Sequence, residues 1–284
     1  MDAQGVSDNE QAELWNGVAG QAWVESQAML DRLFRPIEES LAKAVAERLP
    51  ARLLDVGCGT GSTTIAAARR LEGRGTSVGI DISEPMIAAA CARAEREGVA
   101  AEFICADAES HVFEAGRFEM IISRFGVMFF ADPVRAFTNL RRASAPAAEL
   151  RVVAWRSAAD NPFMTTAERA AAALLPGLPA RQAEGPGQFA FGDRDRVAGI
   201  LRESGWEGIE ISPLDVACTM PEAELVPYLT KLGPVGRALE GADSRTRAAV
   251  VEAARIAFEP YVRGAEVRFT AACWMIGARA PAAS

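Results

Sequence analysis

The chain has few of the residues from which disulfide scaffolds, zinc sites and acid–base catalysts are built. Its five cysteines (Cys58, Cys91, Cys105, Cys218 and Cys273) are odd in number and include no CxxC pair, which argues against a disulfide framework or a zinc site. They read instead as small buried apolar residues. Only one histidine, His111, is present. Basic residues are outnumbered, 30 Lys+Arg against 38 Asp+Glu for a formal net charge of −8, and no basic run occupies one face. A polyanion such as nucleic acid is therefore not an expected partner. No uncharged apolar stretch reaches the roughly 18 residues of a membrane span, and the start lacks a basic patch followed by an apolar segment. A cytoplasmic protein is expected, and no internal repeat breaks the chain into an array.

What is present is an ordinary globular composition, 50% hydrophobic and 24% charged over 284 residues, long enough for a full α/β core. Residues from about 10 to 49 read as helix, because "PIEESLAKAVAERL" places Ile37, Leu41, Val45 and Leu49 on one face, and Pro50 ends it. From Arg52 to Trp155 short apolar runs ("RLLDVG", "SVGID", "EFICAD", "FEMIIS", "LRVVAW") alternate with helical segments, the rhythm of βαβ units and a parallel sheet. Ser83 and Pro85 mark a helix start, with Met86, Ile87, Ala90, Cys91 and Ala94 as its inner face. Val134, Phe137 and Leu140 do the same for a later helix. Beyond Trp155 the regularity breaks, and the reading divides the chain into a helical cap (1–50), a ligand-binding core (51–156) and a remainder (157–284). That remainder carries the last strands, "GIEISPLDV" and "EVRFTAACWMIGARA", and two helical lid insertions at about 157–200 and 221–262.

The chemistry concentrates in "LLDVGCGTGSTT", a strand that ends in an acid and runs through three alternate glycines into a helix. Gly57, Gly59 and Gly61 let backbone amides and a helix N-terminus approach a ligand. A dinucleotide site requires G-x-G-x-x-G, whereas the spacing here is GxGxG and Ser62 stands where the third glycine belongs. Asp81, at the end of the second strand, is placed to accept from both ribose hydroxyls, a feature shared by nucleotide sites of either kind. Asp55 and Asp107 discriminate: the first suits an ammonium better than a pyrophosphate, and the second can accept from an adenine amino group. Three acids around a glycine turn suit a cationic nucleoside.

Through "LLDVGCGTGSTT", "VGIDIS", "CADAES" and "FEMIISRFGVMFFADP", in order and spacing over roughly residues 10–160, the chain resembles the class I S-adenosylmethionine-dependent methyltransferases. It is most similar to the small-molecule group of the ubiquinone/menaquinone methyltransferases. The resemblance implies a Rossmann-like seven-stranded, mostly parallel sheet with helices on both faces and an antiparallel last strand. It implies that Gly57–Gly61 abut the methionine part of S-adenosylmethionine, that Asp81 binds the ribose, and that Asp107 and Ala108 touch the adenine. Ile82 and Met86 would flank the adenine ring, Ser123, Arg124 and Phe125 would border the methyl donor, and Trp15 and Trp23 would fold over it. Read from the residues alone, Met86, Trp15 and Trp23 serve equally well as core, and Arg124 either pairs a carboxylate or snorkels at a strand end. One departure is plain: "ASAPAAEL" puts Pro146, Ala147 and Ala148 where the family has Pro-Gly-Gly, so a positive φ there would be strained.

The activity expected is methyl transfer to a small, partly apolar acceptor. The alternatives are a protein that only binds S-adenosylmethionine or its product S-adenosylhomocysteine, and an NAD-linked oxidoreductase. With His111 placed toward the adenine end, no residue is assigned as catalyst, and catalysis by alignment and exclusion of water is expected. Phe163, Met164, Phe189, Phe191, Tyr228, Leu232, Phe258 and Tyr261 in the insertions form either an acceptor pocket or the insertions' own core.

Overall fold

A computed structural model describes residues 8–178 and 185–283. The first seven residues of the expected cap, residues 179–184 of the expected first insertion and the final residue lie outside them. The single helix expected over about 10–49 is corrected to three: α1 (Asp8–Asn16), α2 (Val18–Glu25) and α3 (Gln27–Arg48). The chain folds tightly at the first break, where a Cβ on Gly20 would stand 2.0 Å from the Trp15 carbonyl oxygen. Ile37, Leu41 and Val45 of α3 are wholly buried, whereas Leu49 is exposed and left-handed at φ 47°, and so closes the helix rather than extending its inner face.

The alternating region forms β1 (Arg52–Val56), α4 (Ser62–Leu71), β2 (Thr76–Asp81), α5 (Glu84–Glu97), β3 (Glu102–Cys105), β4 (Phe118–Arg124), α6 (Pro133–Ala143) and β5 (Ser144–Trp155). After it come α7 (Pro162–Ala171), α8 (Arg194–Glu203), β6 (Glu207–Pro221), α9 (Leu225–Lys231), α10 (Gly233–Leu239), α11 (Ser244–Phe258), β7 (Val262–Arg263) and β8 (Glu266–Arg279). The sheet runs β3-β2-β1-β4-β5-β8-β6, and the two-residue β7 pairs with β8 as an eighth strand. β1 to β5 are parallel, while β8 lies antiparallel between β5 and β6. Strand order reverses between β1 and β4, the place at which open α/β sheets leave a crevice at the carboxyl ends of their strands.

Helix starts follow from local chemistry. Ser83 Oγ accepts from the Met86 amide at 3.5 Å with Pro85 in the first turn of α5, and Asp132 accepts from the Arg135 amide at 2.9 Å at the start of α6. Met86, Ile87, Ala90 and Ala94 are buried as expected. Cys91 and Cys105 are exposed, which corrects their reading as buried residues. Cys91 faces out from α5, and Cys105 ends the edge strand β3, which has a neighbour on one side only. Phe137 and Leu140 bury the inner face of α6, with Val134 half-buried at its rim.

Ala147 takes φ 57° in the turn that replaces Pro-Gly-Gly, and its amide donates to Pro281 O at 3.1 Å. It is exposed, so no packing offsets the left-handed backbone. Ala147→Gly removes about 1 kcal/mol of Cβ strain against a somewhat smaller entropic cost of glycine in the unfolded chain. The variant is expected to melt about 1–3 °C higher by calorimetry, and a lower melting temperature would show that Ala147 is not strained.

Candidate functional site

The turn after β1 holds Gly57, Gly59 and Gly61 at φ 66°, 55° and 81°. At Gly57 a close approach matters as much as φ: a Cβ there would stand 2.5 Å from Gly126 Cα. The chain after β4 comes this near because Ser123 Oγ donates to Val56 O at 2.6 Å, tying the ends of the two strands together. Phe125 then adopts φ 68°, rare for a bulky residue. Its ring is held by stacking on Trp155, with centroids 4.5 Å apart and planes 7° apart, and by Phe34 edge-on at 5.4 Å.

Asp81 sits beside this turn. Its Oδ2 accepts from the Gly59 amide at 2.8 Å and its Oδ1 from the Ser83 amide at 3.0 Å. Burial pushes its carboxyl above the usual carboxylate range, opposed by those amides. Asp107 organises the turn after β3, accepting from the Glu109 amide at 2.9 Å and Ser110 Oγ at 3.1 Å. Asn139 holds the same turn from α6 by donating to Ala108 O at 3.0 Å and His111 O at 2.9 Å.

These elements open on a cavity of about 760 Å³, within the range of pockets for drug-sized ligands. The structure brings Trp15, Trp23, Gly57, Gly59, Asp81, Ile82, Met86, Asp107, Ala108 and Arg124 together in its wall. Asp55, Gly61 and Ser123 do not reach it. Gly61 packs instead against α5 and β3, where its Cβ would meet Ala90 Cβ and the Phe103 ring at 3.0 Å. Asp55 is 1% exposed, and it accepts from Thr64 Oγ1 at 2.7 Å while its Oδ1 has no partner. Burial pushes its carboxyl up to about 7.

The N-terminal helices roof the cavity. Ser83 Oγ donates to Trp15 O at 2.6 Å, and Asn16 both donates to Ile82 O at 3.1 Å and accepts from the Glu84 amide at 2.8 Å. Trp15 meets Trp23 and Phe129 edge-on at 6.2 and 5.0 Å. Across the roof, Lys231 of α9 reaches Glu25 of α2 at 2.8 Å. The far wall includes Phe163, Met164, Phe189, Tyr228, Leu232 and Phe258, but not Phe191 or Tyr261. Phe163 belongs to both readings of the insertions, since it lines the cavity and also stacks on Phe269 at 3.4 Å. His111 is not in the wall; it packs edge-on against Phe113 at 4.7 Å. Sequence reasoning missed Trp155, Gly126 and Phe129 in the wall. A glycine directly after β4, opposite the glycine turn, was the one local signal for Gly126.

The donor set fits a cationic nucleoside rather than a dinucleotide. Each Asp81 oxygen accepts one backbone N–H in the structure and keeps capacity for a hydroxyl. At the N-terminus of α4, where a pyrophosphate would lie, Ser62 Oγ instead donates to the Glu38 carboxylate. An acid already occupies the anion's place.

Fold and site together define a Rossmann-like methyltransferase. A methyltransferase-domain family model matches residues 53–147. The nocamycin O-methyltransferase of Saccharothrix syringae is 30% identical over 204 residues, spanning 67% of this chain and 71% of that enzyme. The demethylmenaquinone methyltransferase of Thermus thermophilus is 36% identical over 107 residues, 38% of this chain and 48% of that enzyme. Among solved structures, a Bacillus halodurans C-125 protein superposes with a TM-score of 0.57 at 17% identity, covering 86% of this chain and 98% of that one, a likeness of fold. The chain belongs to the class I S-adenosylmethionine-dependent methyltransferases, and S-adenosylmethionine is its methyl donor. No helix among the described residues is long and apolar enough to cross a membrane.

Proposed function

We propose that this enzyme methylates an oxygen of a small, partly apolar molecule held between the carboxyl edge of the sheet and the two insertions. The observation that carries the reading is the shared cavity: Gly57, Gly59 and Asp81 form one wall, and Phe163, Tyr228 and Leu232 form the other. The nocamycin enzyme, an O-methyltransferase by name, supports oxygen as the accepting atom. In this reading the cap comprises the N-terminal helices, the donor core runs through residues 51–156, and the insertions set acceptor preference. The acidic balance speaks against nucleic acid as acceptor, and exposed free thiols at Cys91 and Cys105 fit a reducing compartment such as the cytosol.

Asp81 would bind the ribose hydroxyls, with Asp107 and Ala108 at the adenine and Ile82 and Met86 against its faces. When bound, S-adenosylmethionine supplies a methyl group on a sulfonium, an electrophile that needs no activation by the protein. The chain's own contribution is alignment and dryness. The rigid Gly57 turn and the stacked Phe125–Trp155 pair fix one side of the cavity, while Trp15 and Trp23 cover it. Such positioning supplies about 7–11 kcal/mol of barrier reduction in favourable systems.

Asp81→Ala removes charged hydrogen bonds of about 1.5–3 kcal/mol. S-adenosylhomocysteine should bind on the order of 10- to 150-fold more weakly by calorimetry, and an unchanged Kd would remove Asp81 from the donor site. His111→Ala is expected to leave kcat within about threefold, because the ring packs on Phe113 outside the cavity; a loss beyond about a hundredfold would mark general-base catalysis. The activity itself is tested by incubating the protein with S-adenosylmethionine and a panel of phenols, enols and aromatic acids, following S-adenosylhomocysteine release. Product from oxygen acceptors supports the proposal. Tight S-adenosylhomocysteine binding with no turnover on any acceptor would favour a non-catalytic binding protein, and NAD binding would revive the oxidoreductase alternative.

A further inference from the structure

Among the described residues, the cavity wall contains a cationic group with a buried donor that no hydrogen bond satisfies. Arg124 closes β4 and lines the cavity, yet its Nη1 is buried without a hydrogen bond to any described residue. A buried guanidinium N–H without an acceptor is costly, so such groups ordinarily have a partner, from the protein, from water or from a ligand. Asp55 acts on Arg124 through its charge, while its own hydrogen bond is to Thr64. Because burial pushes the Asp55 carboxyl up to about 7, at neutral pH it offsets the Arg124 charge only in part.

Sheet register says which side of the cavity this cation serves. Val56 pairs with Ile80 and Asp55 with Ile122, so continuing the register by one and two residues sets Asp81 on one side of Gly57 and Arg124 on the other. With neighbouring strands about 4.8 Å apart, Asp81 and Arg124 stand about 10 Å from each other across the glycine turn. Asp107, at the end of β3, extends the Asp81 side. Phe125 and Trp155, stacked at the ends of β4 and β5, lie on the Arg124 side, and the stacked pair Phe163–Tyr228 lines the same cavity. The nucleoside half of the ligand set therefore faces the acids, and the space beyond Arg124 is aromatic.

We propose that Arg124 is an acceptor anchor: the enzyme selects flat, apolar molecules bearing an acidic oxygen, such as an aromatic carboxylic acid, an acidic phenol or an enol, and binds that oxygen ionised. Guanidinium geometry matches a carboxylate or a chelated enolate by paired N–H donors, and the dry cavity strengthens the interaction. An oxygen that binds ionised has no proton left for the enzyme to remove, which accounts for a cavity wall without histidine. This inference rests on the small-acceptor reading above and names the chemical class.

The test is calorimetry on the S-adenosylhomocysteine-loaded protein with 2-naphthoate and 2-naphthamide, which match in shape and differ in charge. The wild type is expected to bind naphthoate at least tenfold more tightly than the amide. Arg124→Met should abolish that preference, and Arg124→Lys should retain part of it. In both variants the affinity for S-adenosylhomocysteine should stay within about threefold, and the melting temperature should show that the fold is intact. Equal binding of the two probes by the wild type would overturn the anchor while leaving the small-acceptor reading in place. Binding of neither would overturn both. A tenfold loss of S-adenosylhomocysteine affinity in Arg124→Met, with 5′-methylthioadenosine affinity unchanged, would assign Arg124 to the carboxylate of the donor and overturn the anchor as well.

Discussion

Gly57→Ala is expected to destabilise the protein by about 2–5 kcal/mol and to weaken S-adenosylhomocysteine binding at least tenfold. Two costs add at this position. The first is the left-handed backbone, φ 66°, worth about 1–2 kcal/mol for an L side chain. The second is steric, because the new Cβ would meet Gly126 Cα at 2.5 Å, a backbone atom that cannot swing aside. Relief requires the ends of β1 and β4 to part, which would break the Ser123 Oγ to Val56 O hydrogen bond and disturb the seat of Phe125 on Trp155. Gly98 separates the two costs: it has nearly the same φ, 63°, but no atom lies within 4 Å of where its Cβ would be. Gly98→Ala should show the backbone cost alone, with ligand affinity unchanged. Denaturant unfolding and calorimetry on both variants check this, and equal losses would mean that the close approach to Gly126 has no energetic weight.

The same pair of glycines shows where the sequence is informative and where it stops. β1, β2, β4 and β5 were legible because strands covered on both faces are apolar runs, and the edge strand β3 from its place in the alternation with helical segments, which leaves few topologies open. The glycine turn, Asp81, Met86 and the roof tryptophans were legible from local spacing and family resemblance. Gly126 was not, since its role depends on a strand brought alongside β1 by the fold. The N-terminal helix was overextended for a related reason: Gly17 and Gly20 look tolerable in a helix until the backbone contact with Trp15 and the Ser83 hydrogen bond are known. The aromatics of the insertions have the least local signature. Phe163 meets Phe269 across more than a hundred residues, and no periodicity within either segment announces that contact.

Asp55 illustrates how much two residues along a strand decide. It stands near the carboxyl end of β1, where an acid would be expected to face the ligand. Asp55, paired with Gly79 and Ile122, stands two residues short of Asp81 and Arg124 on the same face, in the layer where Leu53 and Ile122 pack under Ala67 and Leu71 of α4. Thr64 from the same helix therefore becomes its partner, and the cavity lies beyond it.

That placement makes Asp55 a pH-dependent liability for the fold. Its carboxyl is pushed from an ordinary 3.8 to about 7 by burial, with the Thr64 hydrogen bond and Arg124 opposing and the Asp81 and Glu38 charges adding to the rise. With the folded pKa above the unfolded one, the native state holds the proton more tightly. Stability is unaffected below about pH 4, falls as pH rises from there to about 7, and is level above it. At 1.36 kcal/mol per unit the full change is about 4 kcal/mol. Asp55→Asn keeps an acceptor for Thr64 and removes the ionisation. Its melting temperature relative to wild type should therefore climb between pH 4 and 7, by roughly 5–10 °C in all, and then plateau. Titrating carboxylates that do not act on Asp55 changes both proteins alike, so the difference between the two melting curves reports Asp55 together with its coupling to Asp81 and Glu38. A difference that stays constant from pH 4 to 8 would show that Asp55 ionises in the fold as it does in the open chain.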